Sequence, residues 1–363
     1  MLYEWLYPLS VHLELLNLFK YLTFRSGGAM VSALALSLWL GPKLIQWLKC
    51  HQQGGQPIRE DGPTSHLENK KGTPTMGGLL ILGSFFISTL LWTDIRNPYV
   101  HMTCLVTFLF GLLGFIDDYL KVTKRNSKGI SGKTKLFIQI ITAVLIHFWL
   151  QAYVPPLIQT KLFFPFFKNL IVDLSWFFPI LVTLVVVGAS NAVNLTDGLD
   201  GLVIVPVMIV CAAFALISYL VGHFSYASYL QLPHVPGTGE LAVLCSALIG
   251  AGLGFLWFNA PPAKIFMGDT GSLALGGALG TMSVITKHEI VLAITGGLFV
   301  IEALSVIIQV YYFKLSGGKR IFHMAPIHHH FEKKGWSEST IVIRFWIIAV
   351  IFALIGLSSL KIR

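Results

Sequence analysis

The chain has 363 residues, 55% of them hydrophobic and only 12% charged, and a formal net charge of +9 at pH 7. A soluble globular domain carries about 25% charged residues, so the mean hydropathy of +0.72 excludes that class. The basic residues gather in loops between apolar stretches, which is a membrane-topology signal and an attraction for anionic lipid; no nucleic-acid partner is expected.

Residues 1–24 read as an amphipathic segment at the outer membrane surface. Glu4, Glu14 and Lys20 interrupt the segment, and it has neither a basic start nor a small-residue cleavage site. Ten apolar stretches of roughly 20 residues follow, each able to cross a hydrocarbon core about 30 Å thick. They lie near 29–48, 75–92, 99–120, 135–151, 174–189, 201–221, 240–258, 271–286, 290–313 and 339–360. Only helices satisfy their own backbone in lipid without barrel closure. The expected fold is therefore all-α, a polytopic membrane bundle of ten helices forming a single domain over residues 1–363.

Orientation follows from Lys and Arg. The loops after the first, third and ninth stretches carry Lys43, Lys49, Arg59, Lys70 and Lys71, then Lys121, Lys124, Arg125, Lys128, Lys133 and Lys135, then Lys314, Lys319, Arg320, Lys333 and Lys334. The opposite face holds far fewer. This places the basic face in the cytoplasm and both termini outside it. The cysteines Cys50, Cys104, Cys211 and Cys245 are scattered, with no metal-ligand spacing and no expected disulfide.

Five polar runs fall on the cytoplasmic face: KKGTPTMGG at 70–78, Asp117-Asp118, NLTDGLDG at 194–201, NAPPAKIFMGDTGS at 259–272 and MAPIHHHFEKKGW at 324–336. Asp117 and Asp118 close a helix whose C-terminal dipole disfavours carboxylates. Lys121, Lys124 or Arg125 can offset them, and so can a metal ion or a lysine clamp in an active site. Asp197 and Asp200 read as N-caps ahead of the sixth helix. Gly198 and Gly201 beside them let the backbone approach a ligand, and Asn194 adds an amide. Asp269 repeats the arrangement at the start of the eighth helix, where a helix N-terminus suits phosphate. Such a set of carboxylates on one face suits Mg²⁺ rather than zinc.

His328, His329 and His330 are consecutive and cannot all aim at one point; an incidental metal-binding surface, a loop partly buried against lipid head groups, a phosphate contact and a proton shuttle all remain open. Glu302 lies about 18 Å into the ninth helix, with Gln309 two turns away on the same face. An ordinary packing hydrogen bond inside the bundle is the favoured reading.

Together these runs resemble the polyprenyl-phosphate hexose-phosphate transferase superfamily, and within it the branch that uses UDP-MurNAc-pentapeptide. The similarity covers essentially the whole chain, and MAPIHHHFE at 324–332 is its most discriminating part. The resemblance implies that undecaprenyl phosphate attacks UDP-MurNAc-pentapeptide to give lipid I and UMP with Mg²⁺. It also implies a ten-helix bundle with a cytoplasmic cleft and a broken, tilted ninth helix, a homodimer, and the inner membrane of a bacterium.

By the same resemblance Asp269 is the principal Mg²⁺ ligand, Asp117 positions or activates the lipid phosphate, and Asp118 supports the metal or a lysine. Lys70, Thr75, Asp197, Gly198, Leu199, Asp200 and Phe266 resemble the nucleotide pocket, and Asn194 and Asn259 order the cleft. His328, His329, His330 and Lys133 are candidates for phosphate or sugar-peptide contacts. The stretch between His66 and Gly72 is one residue longer than the family pattern, so Lys70 and Lys71 both compete for the family lysine's role. A sister transferase for UDP-N-acetylglucosamine and a secondary transporter are the alternatives.

Overall fold

The computed structural model describes residues 2–52, 72–124, 129–167 and 169–362. Short helical turns, α1 (Leu2–Leu6) and two 3₁₀ segments, precede the first long helix, α2 (Leu22–His51). Then come α3 (Gly78–Trp92), α4 (Pro98–Thr123), α5 (Gly132–Gln151), α6 (Phe178–Thr196), α7 (Ile204–Gly222), the short α8 (Phe224–Leu230) and α9 (Glu240–Asn259). The last third holds α10 (Gly268–Ile285), α11 (Glu289–Thr295), α12 (Gly297–Leu315), α13 (Ile327–Lys333) and α14 (Glu338–Ile362). Among the described residues, strands are confined to a ribbon after α5, in which β1 (Lys161–Phe163) pairs antiparallel with β2 (Ile171–Asp173).

Eight of the described helices are long and apolar enough to cross a membrane. The expectation of ten adds α3, which has only 15 residues, and α10, whose 18 residues are rich in glycine. The fold is the all-α polytopic membrane protein that composition requires. Its outer surface carries Trp39, Trp47, Phe108, Phe137, Phe148, Leu184 and Ile347 exposed. Aromatic and aliphatic side chains in such density face lipid.

The burial pattern shows how α2 earns its place. Its buried residues are Arg25, Ala29, Ala33, Ser37, Gly41, Ile45 and Leu48, a four-residue spacing that puts small side chains on one narrow face. Small faces let membrane helices approach closely, and hydroxyls then join them. Ser37 donates to Ser84 at 2.9 Å, and Trp92 Nε1 donates to Ser32 at 3.0 Å. At the end remote from the polar runs, Arg25 makes a two-pronged pair with Glu240 at 2.8 and 2.6 Å.

Helix α10 is the post of the bundle: every residue from Thr270 to Ile285 is buried. It packs chiefly against α4 and α6. A side chain at Gly276 would run into the backbone of Ala189 and Ser190, and one at Gly280 into Val186. At the other end, Gly114 of α4 lies directly against the backbone of Asp269. The two acids of α4 are thereby brought to the start of α10.

One expectation changes. Asp197 and Asp200 are not N-caps of α7: Asp197 is the C-cap of α6, and α7 begins only at Ile204, after Val203. Glycines at 198 and 201 hold the intervening turn open, with Gly201 at φ +72°, so the chain reverses before it can start a helix. The ninth apolar stretch, near 290–313, is broken as the resemblance implies: it forms two helices, α11 and α12, parted at Gly296. Helix α11 packs on α14, whereas α12 packs on α6, α13 and α14. The buried residues of α12 end at Ser305, so its second half stands clear of the bundle.

Candidate active site

The C-terminal end of α4 and the N-terminal end of α10 meet at a carboxylate cluster. One oxygen from each of Asp117, Asp118 and Asp269 lies within 4.8 Å of the others. Asp117 and Asp118 are 0% and 1% exposed, and the Asp269 side chain is 17% exposed.

Asp118 closes the start of α10. Its carboxylate accepts from the amides of Asp269 at 3.2 Å and Thr270 at 3.0 Å, and from the Thr270 hydroxyl at 2.7 Å. The first N–H groups of a helix have no partner within it, and here an acid from a neighbouring helix supplies one. The positive end of the α10 dipole thus meets the acid that the α4 dipole repels. The approach requires Gly268 at φ +75°, where a side chain would strike Asp118 and the Thr75 hydroxyl.

Asp117 and Asp269 share two lysines. Lys121 Nζ lies 2.6 Å from Asp117 Oδ2 and 3.2 Å from Asp269 Oδ2. Lys135 Nζ lies 2.9 Å and 2.7 Å from the same two oxygens. The amide of Ile130 donates to Asp117 Oδ1 at 2.6 Å. Asn194 Nδ2 donates to Asp269 Oδ1 at 3.0 Å and to Ser272 at 2.8 Å. Three carboxylates against two ammonium groups leave the cluster acidic.

Around it the polar runs are knitted into one surface. Phe266 N donates to Pro74 O at 2.9 Å, and Gly77 N to Phe266 O at 2.8 Å, so GTPTMGG runs beside IFMG. Thr75 is buried there, its amide held by Gln52 at 3.0 Å. Asn259 Oδ1 accepts from Gly201 N at 3.0 Å, and its Nδ2 donates to Ile265 O at 2.8 Å. Asp200 Oδ2 accepts from Ala263 N at 3.0 Å, while Asp200 N donates to Glu338 Oε1 at 2.8 Å. NLTDGLDG is thus tied to the NAPPAKIFMG loop on one side and to α14 on the other.

The histidines diverge, as three successive residues must. His328 is fully buried, its Nδ1 3.1 Å from Glu302 Oε1, and its Nε2 faces Gly198. His329 Nδ1 pairs with Glu332 at 2.9 Å. His330 Nδ1 accepts from His323 N at 3.0 Å and stacks on the His323 ring. Burial, then Lys334 and His323, hold His330 below the ordinary imidazole value, which suits that acceptor role.

Asp117, Asp118, Asp269, Asn194 and Thr75 therefore converge, as do Asp200 with Asn259 and Gly198 with His328. Lys133 is exposed and makes no ion pair with the cluster; Lys135, two residues on, does. The Leu199 side chain is packed in a small core with Leu202, Leu298 and Phe345, so only its backbone faces the turn. Lys70 and Lys71 lie outside the described residues. Lys121 carries a sequence signal, four residues from Asp117, and so does Thr270, whose hydroxyl follows Asp269 in the GDTGS run; Lys135 and Glu338 carry none, because helices distant in sequence bring them in. Glu302 has the inter-helix partner expected of a buried acid, although that partner is a candidate site residue rather than a packing neighbour.

A fold of apolar helices with acids and lysines gathered at one end defines a membrane enzyme working on anionic groups. The family model for glycosyl transferase family 4 matches residues 100–287, and a phospho-N-acetylmuramoyl-pentapeptide-transferase signature matches residues 70–82. The phospho-N-acetylmuramoyl-pentapeptide-transferase of Granulibacter bethesdensis is 61% identical over 363 residues, covering 100% of both chains. That of Caulobacter vibrioides is 57% identical over 368 residues, covering 100% of this chain and 99% of the relative. The chain belongs to the phospho-N-acetylmuramoyl-pentapeptide-transferase family, within glycosyl transferase family 4.

Proposed function

We propose that the protein transfers phospho-MurNAc-pentapeptide from UDP-MurNAc-pentapeptide to undecaprenyl phosphate, giving lipid I and UMP. The observation that carries this reading is the lysine-bridged carboxylate cluster at the joint of α4 and α10. An oxygen of the lipid phosphate forms a bond to the phosphorus that bears the sugar, and the bond from that phosphorus to the UMP oxygen breaks. Both reactants are anionic, so charge neutralisation and alignment are the main demands.

The oxygen-only donor set of Asp117, Asp118 and Asp269 fits a hard dication such as Mg²⁺. Asp269 and Asp117 would hold it, and it would supply charge neutralisation on the diphosphate. Asp118 keeps its bonds to Asp269 and Thr270 and sets where α10 begins. Asn194 orients Asp269. Lys121 and Lys135 are the mobile charges: released from the carboxylates, they reach substrate phosphates. A lipid phosphate is largely ionised at pH 7, so Asp117 positions the attacking group rather than deprotonating it. The backbone from Asp197 to Asp200, with Phe266 and Thr75, forms the nucleotide side of the cleft, and His328 reaches it at Gly198.

The cleft faces the cytoplasm with both termini outside, in the inner membrane of a bacterium, and the protein works as a homodimer. The test is UMP release from purified protein with undecaprenyl phosphate, UDP-MurNAc-pentapeptide and Mg²⁺. Release that requires all three supports the reading. Turnover of UDP-N-acetylglucosamine in place of the muramoyl substrate overturns it.

A further inference from the structure

We propose that Glu302 is a positioning residue for this transfer: it fixes the His328 ring so that Nε2 is presented at the Gly198 turn, to a phosphate of the bound nucleotide-sugar. The proposal rests on the reading of NLTDGLDG as the nucleotide side of the cleft.

Glu302 and His328 are both 0% exposed. A carboxylate enclosed among membrane helices persists only with a partner, and the partner is His328 Nδ1 at 3.1 Å. An ionised carboxylate can only accept, so the Nδ1 proton points at Glu302, and the tautomer and plane of the ring are set together. His328 Nε2 is then the ring's remaining functional atom. It is buried, has no hydrogen-bond partner among the described residues, and abuts Gly198, where any side chain would occupy its space. A buried polar atom left without a partner is costly; one aimed into a ligand turn is matched when the ligand arrives.

The dyad joins α12, α13 and the turn after α6 at one point. Helix α12 delivers Glu302 because the ninth apolar stretch breaks at Gly296, which frees α12 to pack on α13. His329 and His330 do not compete for the role, being turned to Glu332 and His323. With a proton on each nitrogen the ring donates from Nε2 to a phosphate oxygen while Nδ1 stays bonded to Glu302. No covalent bond at His328 is made or broken.

Glu302→Gln keeps size and an oxygen for Nδ1 while removing the charge. It is expected to lower kcat by about 10–100-fold, with KM for UDP-MurNAc-pentapeptide changed less than about threefold and the unfolding midpoint nearly unmoved. The double variant with His328→Gln is expected to lose no more than His328→Gln alone, since both act through one ring. Additive losses, or a Glu302→Gln enzyme as active as the parent, overturn the proposal. So does loss of activity that only tracks loss of thermal stability, the mark of a merely structural acid. Histidine ¹⁵N spectra give a readout independent of turnover, with the His328 signal assigned by its loss in His328→Gln. The expected spectrum shows a protonated Nδ1 in the parent and a mixed population in Glu302→Gln; an unprotonated Nδ1 in the parent refutes the dyad. Absence of UMP release by the parent would count against the transferase reading alone, because the spectrum still reports the dyad.

Discussion

Asp118→Asn separates a carboxylate that caps a helix from one that binds a metal. Asp118 presents two oxygens to three donors: one meets Asp269 N, and the other meets Thr270 N and Oγ1. Asparagine has a single acceptor oxygen. Aimed at Thr270 it keeps two bonds and sets its own NH₂ against the Asp269 amide. One buried N–H left unpaired costs about 1–3 kcal/mol. The two remaining bonds lose their charge assistance, which is roughly half their strength. Removing an anion from the helix N-terminus adds about 0.3–1 kcal/mol. The sum is about 3–4 kcal/mol, enough to lower the unfolding midpoint of a chain of this length by about 4–5 °C. Turnover falls as well, because the Asp269 backbone is no longer anchored. The assay is thermal unfolding in detergent followed by dye fluorescence, alongside titration of activity with Mg²⁺. A midpoint within about 1 °C of the parent, together with a weakened Mg²⁺ requirement, would show that Asp118 is a ligand and not a cap.

Asp269→Asn should keep the fold and lose two to four decades of turnover, about 3–5 kcal/mol of barrier; near-normal rates at limiting Mg²⁺ would exclude it as the principal ligand. Lys135→Met is expected to cost at least about tenfold in kcat/KM, one bridging charge being worth about 1.4 kcal/mol or more. Lys133→Met should stay near the parent, and the reverse order in steady-state kinetics would contradict the geometry. Asp117→Asn should lower turnover with nucleotide binding intact, whereas Asp200→Asn, which loosens the turn held by Ala263 and Glu338, should mainly raise KM for the UDP-sugar. A label at Lys319 should react only from the cytoplasm and a reporter after Arg363 should be external; cytoplasmic reporter activity would overturn the orientation.

Hydropathy made the bundle legible because lipid demands long apolar runs, and the observed helices fall on the expected stretches. It could not mark the break at Gly296, since the residues on both sides are equally apolar and the division is made by packing on α14 and α13. Nor could it place the Asp197–Asp200 turn. An aspartate beside glycine reads equally as a helix start or a helix end until the neighbouring loop and Glu338 are seen to hold the turn open. The three acids of the cluster were legible as polar intrusions in apolar surroundings. Lys135 was not, because one lysine among several in a basic loop carries no mark of the helix end it will meet. Glu302 was visible as an oddity, but its partner lies 26 residues away in a segment whose own fold is a single short helix.

The close packing of α10 also bears on how such a protein can change over generations. Its lipid-facing positions ask only for something greasy, so substitutions there can drift freely. Gly114, Gly276 and Gly280 have backbone where a side chain would go, and the helix they seat carries Asp269 in its first turn. Variation inside the bundle, far from any phosphate, would shift that acid against its lysines and be selected against as lost catalysis. An inhibitor bound at the start of α10 would therefore rest on ground that the enzyme has little freedom to remodel.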